Sequence, residues 1–316
     1  MRVAPRPRRW KILLAFAMIY FVWGSTFLAI RVGVRQVPPF LFAGMRFFTA
    51  GIILYLWMRA RGTPSPNRRQ WASALLLAVL IFVLDYGLLF WAEQRVPSGI
   101  AAVMMATIPV FMALAEILLL RTQKLTVRLA FALLVGMGGV AVLVSRSVAF
   151  GDRPIETSGA IALVIAAIGW SLASALSRKL VLPESKVMSS GAQMLAGGVM
   201  LFVTSAALGE FRGFHVQAVP AGAWFALLYL IIAGSIIAFT AYVWLIHHES
   251  PTKVGTYAYV NPVVAVAVGY FLGGEALGTR TVMGTLLVLA SVVVITTTPK
   301  EAESAGMTQE IELVEP

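Results

Sequence analysis

Residues 97–120 read PSGIAAVMMATIPVFMALAEILLL. Glu116 is the one charged side chain in this stretch, and Pro109 stands near its middle. About 20 apolar residues are enough to cross a bilayer as a helix. An interior proline removes one backbone hydrogen bond and frees the carbonyl four residues earlier, here that of Met105. Residues 250–273, SPTKVGTYAYVNPVVAVAVGYFLG, repeat the design 153 positions later: Pro262 falls on Pro109 and frees the carbonyl of Ala258. In lipid, a broken helix persists only where protein or a water-filled cavity satisfies the freed groups. Two prolines at equivalent depth therefore point to a central cavity between the fourth and ninth helices, with helix breaks at Pro109 and Pro262. A packing kink is the plainer reading of either proline taken alone.

The self-similarity extends outward from this pair. At the same offset Trp71 falls on Trp224, Trp91 on Trp244 and Thr126 on Thr279. At an offset of 147, Trp23 falls on Trp170, Arg31 on Arg178, Gly44 on Gly191 and Gly51 on Gly198. The change of six positions is a loop insertion, which connections between helices tolerate. Ten apolar stretches are legible: 12–31, 39–58, 71–91, 97–120, 127–145, 158–178, 187–208, 222–246, 253–273 and 280–298. Each repeat holds five, an odd number, so the second enters the membrane from the opposite face. The expected fold is an all-α membrane protein of ten transmembrane helices in two inverted five-helix repeats around a central cavity. Transporters are built in this way, with substrate near the midplane.

Composition agrees with lipid as solvent. Of 316 residues, 59% are hydrophobic and 12% charged, against about 25% charged in soluble domains. The division expected is a basic segment 1–11, repeats 12–146 and 158–298, and a disordered acidic tail 299–316. The basic start, Arg2, Arg6, Arg8, Arg9 and Lys11, is followed by no small-residue cleavage site, so it reads as the flank of a retained helix. There are no cysteines, which excludes disulfides and thiol chemistry.

The net charge of +11 is topological. Seventeen of the 25 Lys and Arg lie on the side shared by both termini, seven lie opposite, and Arg46 lies within a helix. This is the positive-inside pattern. It puts both termini in the cytoplasm and assigns the basicity to anionic lipid rather than nucleic acid.

The candidate site residues are aromatic and hydroxylated. Tyr257 and Asn261 are spaced i, i+4 on the ninth helix, and Thr252, Thr256 and Tyr259 share a neighbouring face. The eighth helix aligns Ser235, Phe239 and Tyr242. The sixth carries Trp170, Ser171, Ser174 and Ser177; the first Trp23, Ser25 and Thr26; the third Asp85 and Tyr86. Such a lining suits a small amphipathic solute, while hydroxyl and small residues also serve plain helix packing. The substrate-binding set expected is Trp23, Tyr86, Trp170, Ser174, Tyr242, Tyr259 and Asn261. Arg46 and Asp85 are ionisable groups inside helices, which are expensive and should be paired or functional. A pair between them would be either a gate or a structural contact. Glu116 reads as structural.

No G-x-x-x-x-G-K loop is present, so ATP does not drive the chain directly. His247 and His248 are adjacent, unlike the i, i+4 spacing of a zinc helix. No nucleophile–base constellation appears. No cofactor or metal is expected, and the chain does not read as an enzyme.

Together these residues resemble the drug/metabolite transporter superfamily, in particular its EamA-type members with two five-helix domains. The carrying motifs are Trp23-Gly24-Ser25, Arg46-Phe47, Pro97-Ser98-Gly99 leading to Pro109, Ser250-Pro251 leading to Asn261-Pro262, and Gly274-Glu275. The proline-then-glutamate pattern is complete only in the second half; Thr122 stands at the matching place in the first. The resemblance covers residues 10–298 and implies a basket of helices that opens alternately to either side. It also implies export of neutral or aromatic amino acids or related metabolites across the bacterial inner membrane. Sugar- or nucleotide-derived solutes, drugs, a membrane sensor and a membrane-embedded enzyme are the competing readings. The partners expected are a small-molecule substrate and membrane lipid, with the chain acting as a monomer.

Overall fold

The computed structural model describes residues 9–120, 125–144, 156–177, 179–248, 257–274 and 278–296. Ten principal helices occur among the described residues, seven of them long and apolar enough to cross a membrane. The first four are α1 (Arg9–Val34), α2 (Pro39–Ala60), α3 (Arg68–Ala92) and α4 (Ser98–Leu119). Then come α5 (Val127–Val144), α6 (Thr157–Ser177) and α7 (Lys186–Ala207). The last three are α8 (Ala221–Tyr242, continuing to His248), α9 (Tyr257–Gly273) and α10 (Thr279–Thr296). Local signals set several ends. Pro39 opens α2 at a position where its missing N–H costs nothing. Asn67 and Gln70 form a reciprocal capping box at the start of α3. Glu210, beyond α7, accepts from the amides of Phe40 and Leu41 and so caps α2 from the other repeat.

The repeats are inverted. α2 packs along α7, α5 along α10 and α4 against α9. α1 meets α8 and α9 as α6 meets α3 and α4. Exchanging the two halves leaves this set of neighbours unchanged. The equivalent helices run antiparallel. Along α2 and α7, Gly44 meets Phe202, Gly51 meets Leu195, Phe48 meets Gly198 and Tyr55 meets Gly191. Along α5 and α10, Gly136 meets Ser291 and Gly139 meets Val288. The Ser291 hydroxyl donates to the Ala132 carbonyl across that interface, 2.7 Å. Small residues let these backbones approach, which replaces the hydrophobic drive that lipid abolishes between helices. Outward-facing apolar side chains such as Leu134, Val203 and Phe271 remain exposed, as a lipid-facing surface requires.

Two features depart from regular helices. α4 is interrupted at Ala106 and Thr107, just ahead of Pro109. The Thr107 hydroxyl donates to the Met104 carbonyl, and Val110 N–H to the Thr107 carbonyl, so the break is satisfied locally. α9 instead runs unbroken through Pro262, contrary to the expected second break. A side-chain tie stands beside it. With its amide turned so that donor faces acceptor, the Asn261 amide nitrogen, which carries two hydrogens, lies within hydrogen-bonding distance of the Tyr20, Ile19 and Tyr257 carbonyls at 3.1, 3.2 and 3.3 Å. This ties α9 to α1 at the proline.

The second departure is a set of π-helical turns: Met18–Val22 in α1, Val79–Gly87 in α3, Glu116–Leu120 in α4 and Leu230–Ala238 in α8. Those of α3 and α8 occupy matching places in the two repeats. A π-turn loosens the carbonyl ladder and often marks function. Here neighbours use the carbonyls: Trp23 Nε1 donates to Gly234 O at 3.1 Å, and Asn261 takes those of Ile19 and Tyr20.

Candidate functional site: a cavity between the repeats

The cavity lies where α1, α3, α4, α6 and α9 converge. Trp23, Thr26, Phe27 and Ile30 of α1 line it with Asp85, Tyr86 and Leu89 of α3. Ala102, Met105, Ala106 and Ile108 come from α4, Trp170 from α6, and Tyr257, Asn261 and Pro262 from α9. Its empty space is about 590 Å³, the open solvent at its mouth included. Met105 and Ala106 belong to the broken turn of α4, so the proline break opens directly onto it.

Close backbone approaches build the walls. A Cβ on Gly24 would lie 2.6 Å from Val264 Cβ and 3.2 Å from Asn261 O, so glycine there lets α1 reach α9. The equivalent position in α6 is Ser171, whose hydroxyl donates to Ile108 O at 3.0 Å. Both contacts fall on the residue preceding the proline. Gly169 likewise lets α6 approach the α3 backbone at Leu80, which sets the neighbouring Trp170 ring against Tyr86, centroids 6.1 Å apart.

Two aromatic groups frame the space. Trp23, Tyr242 and Tyr257 form one, with centroid separations of 5.2, 5.2 and 5.9 Å. Phe47, Phe82, Tyr86 and Trp170 form the other, with Phe47 4.6 Å from Tyr86 and 4.8 Å from Phe82.

Arg46 is 1% exposed and sits behind the second group. Its guanidinium lies over Phe47, Tyr86 and Phe90, at 4.6, 5.2 and 5.9 Å. Its Nε donates to Ser235 Oγ in the π-turn of α8, 2.9 Å. Desolvated cation–π contacts are worth about 2 kcal/mol or more, and three share the cost of this buried charge. Asp85 is 2% exposed, and its Oδ1 has no hydrogen-bond partner. Arg46 and Asp85 form no ion pair, so the pairing that the sequence allows is not made. The rotation of α2 aims Arg46 at α8 instead.

Of the residues expected to bind substrate, Trp23, Tyr86, Trp170 and Asn261 line the cavity, as do Asp85 and Pro262. Tyr242 stands one layer back, packed on Trp23 and Tyr257. Ser174 is turned onto its own helix, donating to Trp170 O at 2.8 Å. Pro109 and Arg46 are not part of the lining. The side chains of Tyr259, Glu116, His247 and His248 lie outside the described residues, as do Thr122, Arg178, Ser250, Pro251, Thr252, Thr256, Glu275 and both chain ends. Sequence reasoning left Tyr257 out of the binding set and passed over Phe27, Ile30 and Leu89. Tyr257 carried a signal, the i, i+4 spacing to Asn261, and Met105 carried one in its freed carbonyl; the apolar three carried none.

Comparison with known proteins agrees with this architecture. The sequence model described as the EamA-like transporter family matches twice, over residues 9–145 and 157–297. The uncharacterized inner membrane transporter YedA of Escherichia coli (strain K12) is 37% identical over 285 residues, covering 89% of each chain. The uncharacterized transporter YoaV of Bacillus subtilis (strain 168) is 24% identical over 289 residues, covering 89% of this chain and 95% of its own. A crystal structure at 22% identity superposes with a TM-score of 0.62 over 94% of this chain and all of that one, a likeness of fold.

Proposed function

The chain belongs to the EamA-like transporter family, and from that premise we propose that it exports neutral or aromatic amino acids across an inner membrane by alternating access. The observation that carries the reading is the cavity lining. Rings of Trp23, Tyr86, Trp170 and Tyr257 converge with Asp85 and Asn261, and among the described residues no Lys, Arg or His lines the space. Such walls suit an apolar side chain with a small polar end. They speak against sugar phosphates and nucleotide sugars, whose charge calls for Arg or Lys. The inner-membrane setting draws on the similarity to YedA.

In this reading the repeats 12–146 and 158–298 are the two halves that rock about the cavity, and the protein works as a monomer with both termini cytoplasmic. A reporter fused at residue 316 checks the orientation; a periplasmic readout overturns it.

Counterflow into liposomes tests the substrate. Purified protein should exchange labelled tryptophan, phenylalanine or other neutral amino acids and ignore sugar phosphates. Exchange of sugar phosphates or nucleotide sugars alone overturns the proposal.

A further inference from the structure

The cavity has an unbalanced polar inventory. Its lining holds one carboxylate, Asp85, and no basic side chain among the described residues. The carboxylate is buried, and its Oδ1 accepts no hydrogen bond from the protein. A buried carboxylate inside a membrane is costly and calls for a partner. The Arg46 guanidinium donates from Nε to Ser235 and lies over three rings; its Nη1 has no hydrogen-bond partner, yet it forms no ion pair with Asp85.

Three of the neutral polar groups, Trp23, Thr26 and Asn261, lean the same way, because their donors are already spent on backbone. Trp23 N–H goes to Gly234 O, Thr26 O–H to Trp23 O at 2.6 Å, and the Asn261 amide nitrogen to the α1 carbonyls. What Thr26 and Asn261 still offer the cavity are oxygen lone pairs. The rings of Trp23, Tyr86, Trp170 and Tyr257 add π-faces, which attract cations and repel anions.

We infer that the cavity is an ammonium site: Asp85 accepts the protonated amine of the transported molecule, with the aromatic rings around its stem. This rests on the cavity being the transport site and sharpens the substrate class to organic amines. Amino acids then enter through their amino group, and their carboxylate is tolerated rather than recognised. An amine lacking the carboxylate binds at least as well as the amino acid, and an acid lacking the amine is rejected.

Three indole compounds test this on the purified full-length protein by calorimetry: tryptamine, L-tryptophan and indole-3-propionate. The expected order is tryptamine first, tryptophan second and indole-3-propionate last. The extremes should differ by roughly ten- to a hundredfold, the range of a charge-assisted hydrogen bond. Asp85→Asn, nearly the same in shape, should erase the preference for the amine. Equal binding of tryptamine and indole-3-propionate by the native protein overturns the inference, and so does an amine preference that survives Asp85→Asn. The native ranking decides by itself if the variant does not fold. Asp85-dependent binding of tryptamine without counterflow of any amino acid removes amino-acid export and leaves the ammonium site standing. Tryptophan counterflow unaffected by Asp85→Asn, with indole-3-propionate competing as well as tryptamine, does the reverse.

Discussion

Gly51 in α2 and Gly198 in α7 make the same contact from opposite sides of one interface. A Cβ on Gly51 would lie 2.4 Å from the Leu195 amide nitrogen, and one on Gly198 would lie 2.4 Å from that of Phe48. Leu195 and Phe48 are themselves equivalent under the 147-residue offset that relates the two glycines. The repeat in the sequence is thus a reciprocal contact in space, and each half supplies the small residue on which the other packs.

Gly51→Leu and Gly198→Leu should therefore damage the protein by similar amounts. Both would collide with backbone, which cannot swing aside as a flexible side chain does. Overpacking costs about 1–3 kcal/mol in ordinary cores, and these sites should lie at or above the upper end. Thermal unfolding in detergent measures the effect. Gly222→Ala, where a Cβ meets nothing within 4 Å, is the control and should be neutral or slightly stabilising. Unequal losses at Gly51 and Gly198 would contradict the reciprocity.

Trp23→Phe isolates a second cross-repeat contact. The ring stays within an aromatic group that includes Tyr242 and Tyr257, while the bond from Nε1 to Gly234 O is lost. Leaving a buried carbonyl unpaired costs about 1–3 kcal/mol. The unfolding midpoint should fall. An unchanged midpoint would mean that the π-turn of α8 finds another donor.

Much of this was legible in the sequence, and the losses have a physical pattern. Helix count and inversion follow from hydropathy, odd repeat parity and rare residues at a fixed offset, and the offset pairs Gly44 with Gly191 and Gly51 with Gly198. Helix rotation does not follow from them. Arg46 and Asp85 looked able to pair because both are ionisable and both fall in the outer half of their helices, yet α2 presents Arg46 to Ser235. Ser174 and Tyr242 have the right chemistry for a site and lie just outside it. The π-turns had no compositional signal, since the same residues fit an ordinary helix. Pro109 and Pro262 looked interchangeable. One helix is interrupted and the other is not, and the side chains beside the prolines differ too: Asn261 ties its helix to α1, whereas the Ile108 side chain carries no polar group.

A proton and an organic ammonium compete for Asp85 if the ammonium site is correct. Binding of tryptamine should weaken as the pH falls and the carboxylate is protonated, because the neutral acid no longer attracts the cation. The other ionisable groups around it are Arg46, Tyr86, Tyr242 and Tyr257. Guanidinium and phenol groups hold their protons throughout the acid range, so none of them mimics this effect. Calorimetric titrations across a pH series check it, with Asp85→Asn expected to be flat. A variant that weakens with acid as steeply as the native protein would place the titrating group elsewhere.

Asn261 and Trp170 both line the cavity, yet their loss should read out differently. The Asn261 amide nitrogen is directed at the backbone of α1, and its removal strands the carbonyls of Ile19 and Tyr20 beside Pro262. Asn261→Ala should therefore lower stability first, by about 1–3 kcal/mol for buried groups left unpaired. Trp170 presents its ring to the cavity and packs edge-on against Tyr86. Trp170→Ala removes a wall of the proposed site, with stacking worth about 0.5–1.5 kcal/mol beyond burial. Substrate affinity should fall by roughly tenfold once burial is included. Ser174→Ala should do neither, because its hydroxyl is spent on the Trp170 carbonyl. Leu286→Ala, at an exposed position of α10, serves as the control. Measuring the unfolding midpoint and the binding constant of each variant separates a helix pin from a substrate contact. If Asn261→Ala keeps its midpoint and loses affinity, the amide serves the solute rather than the tie to α1.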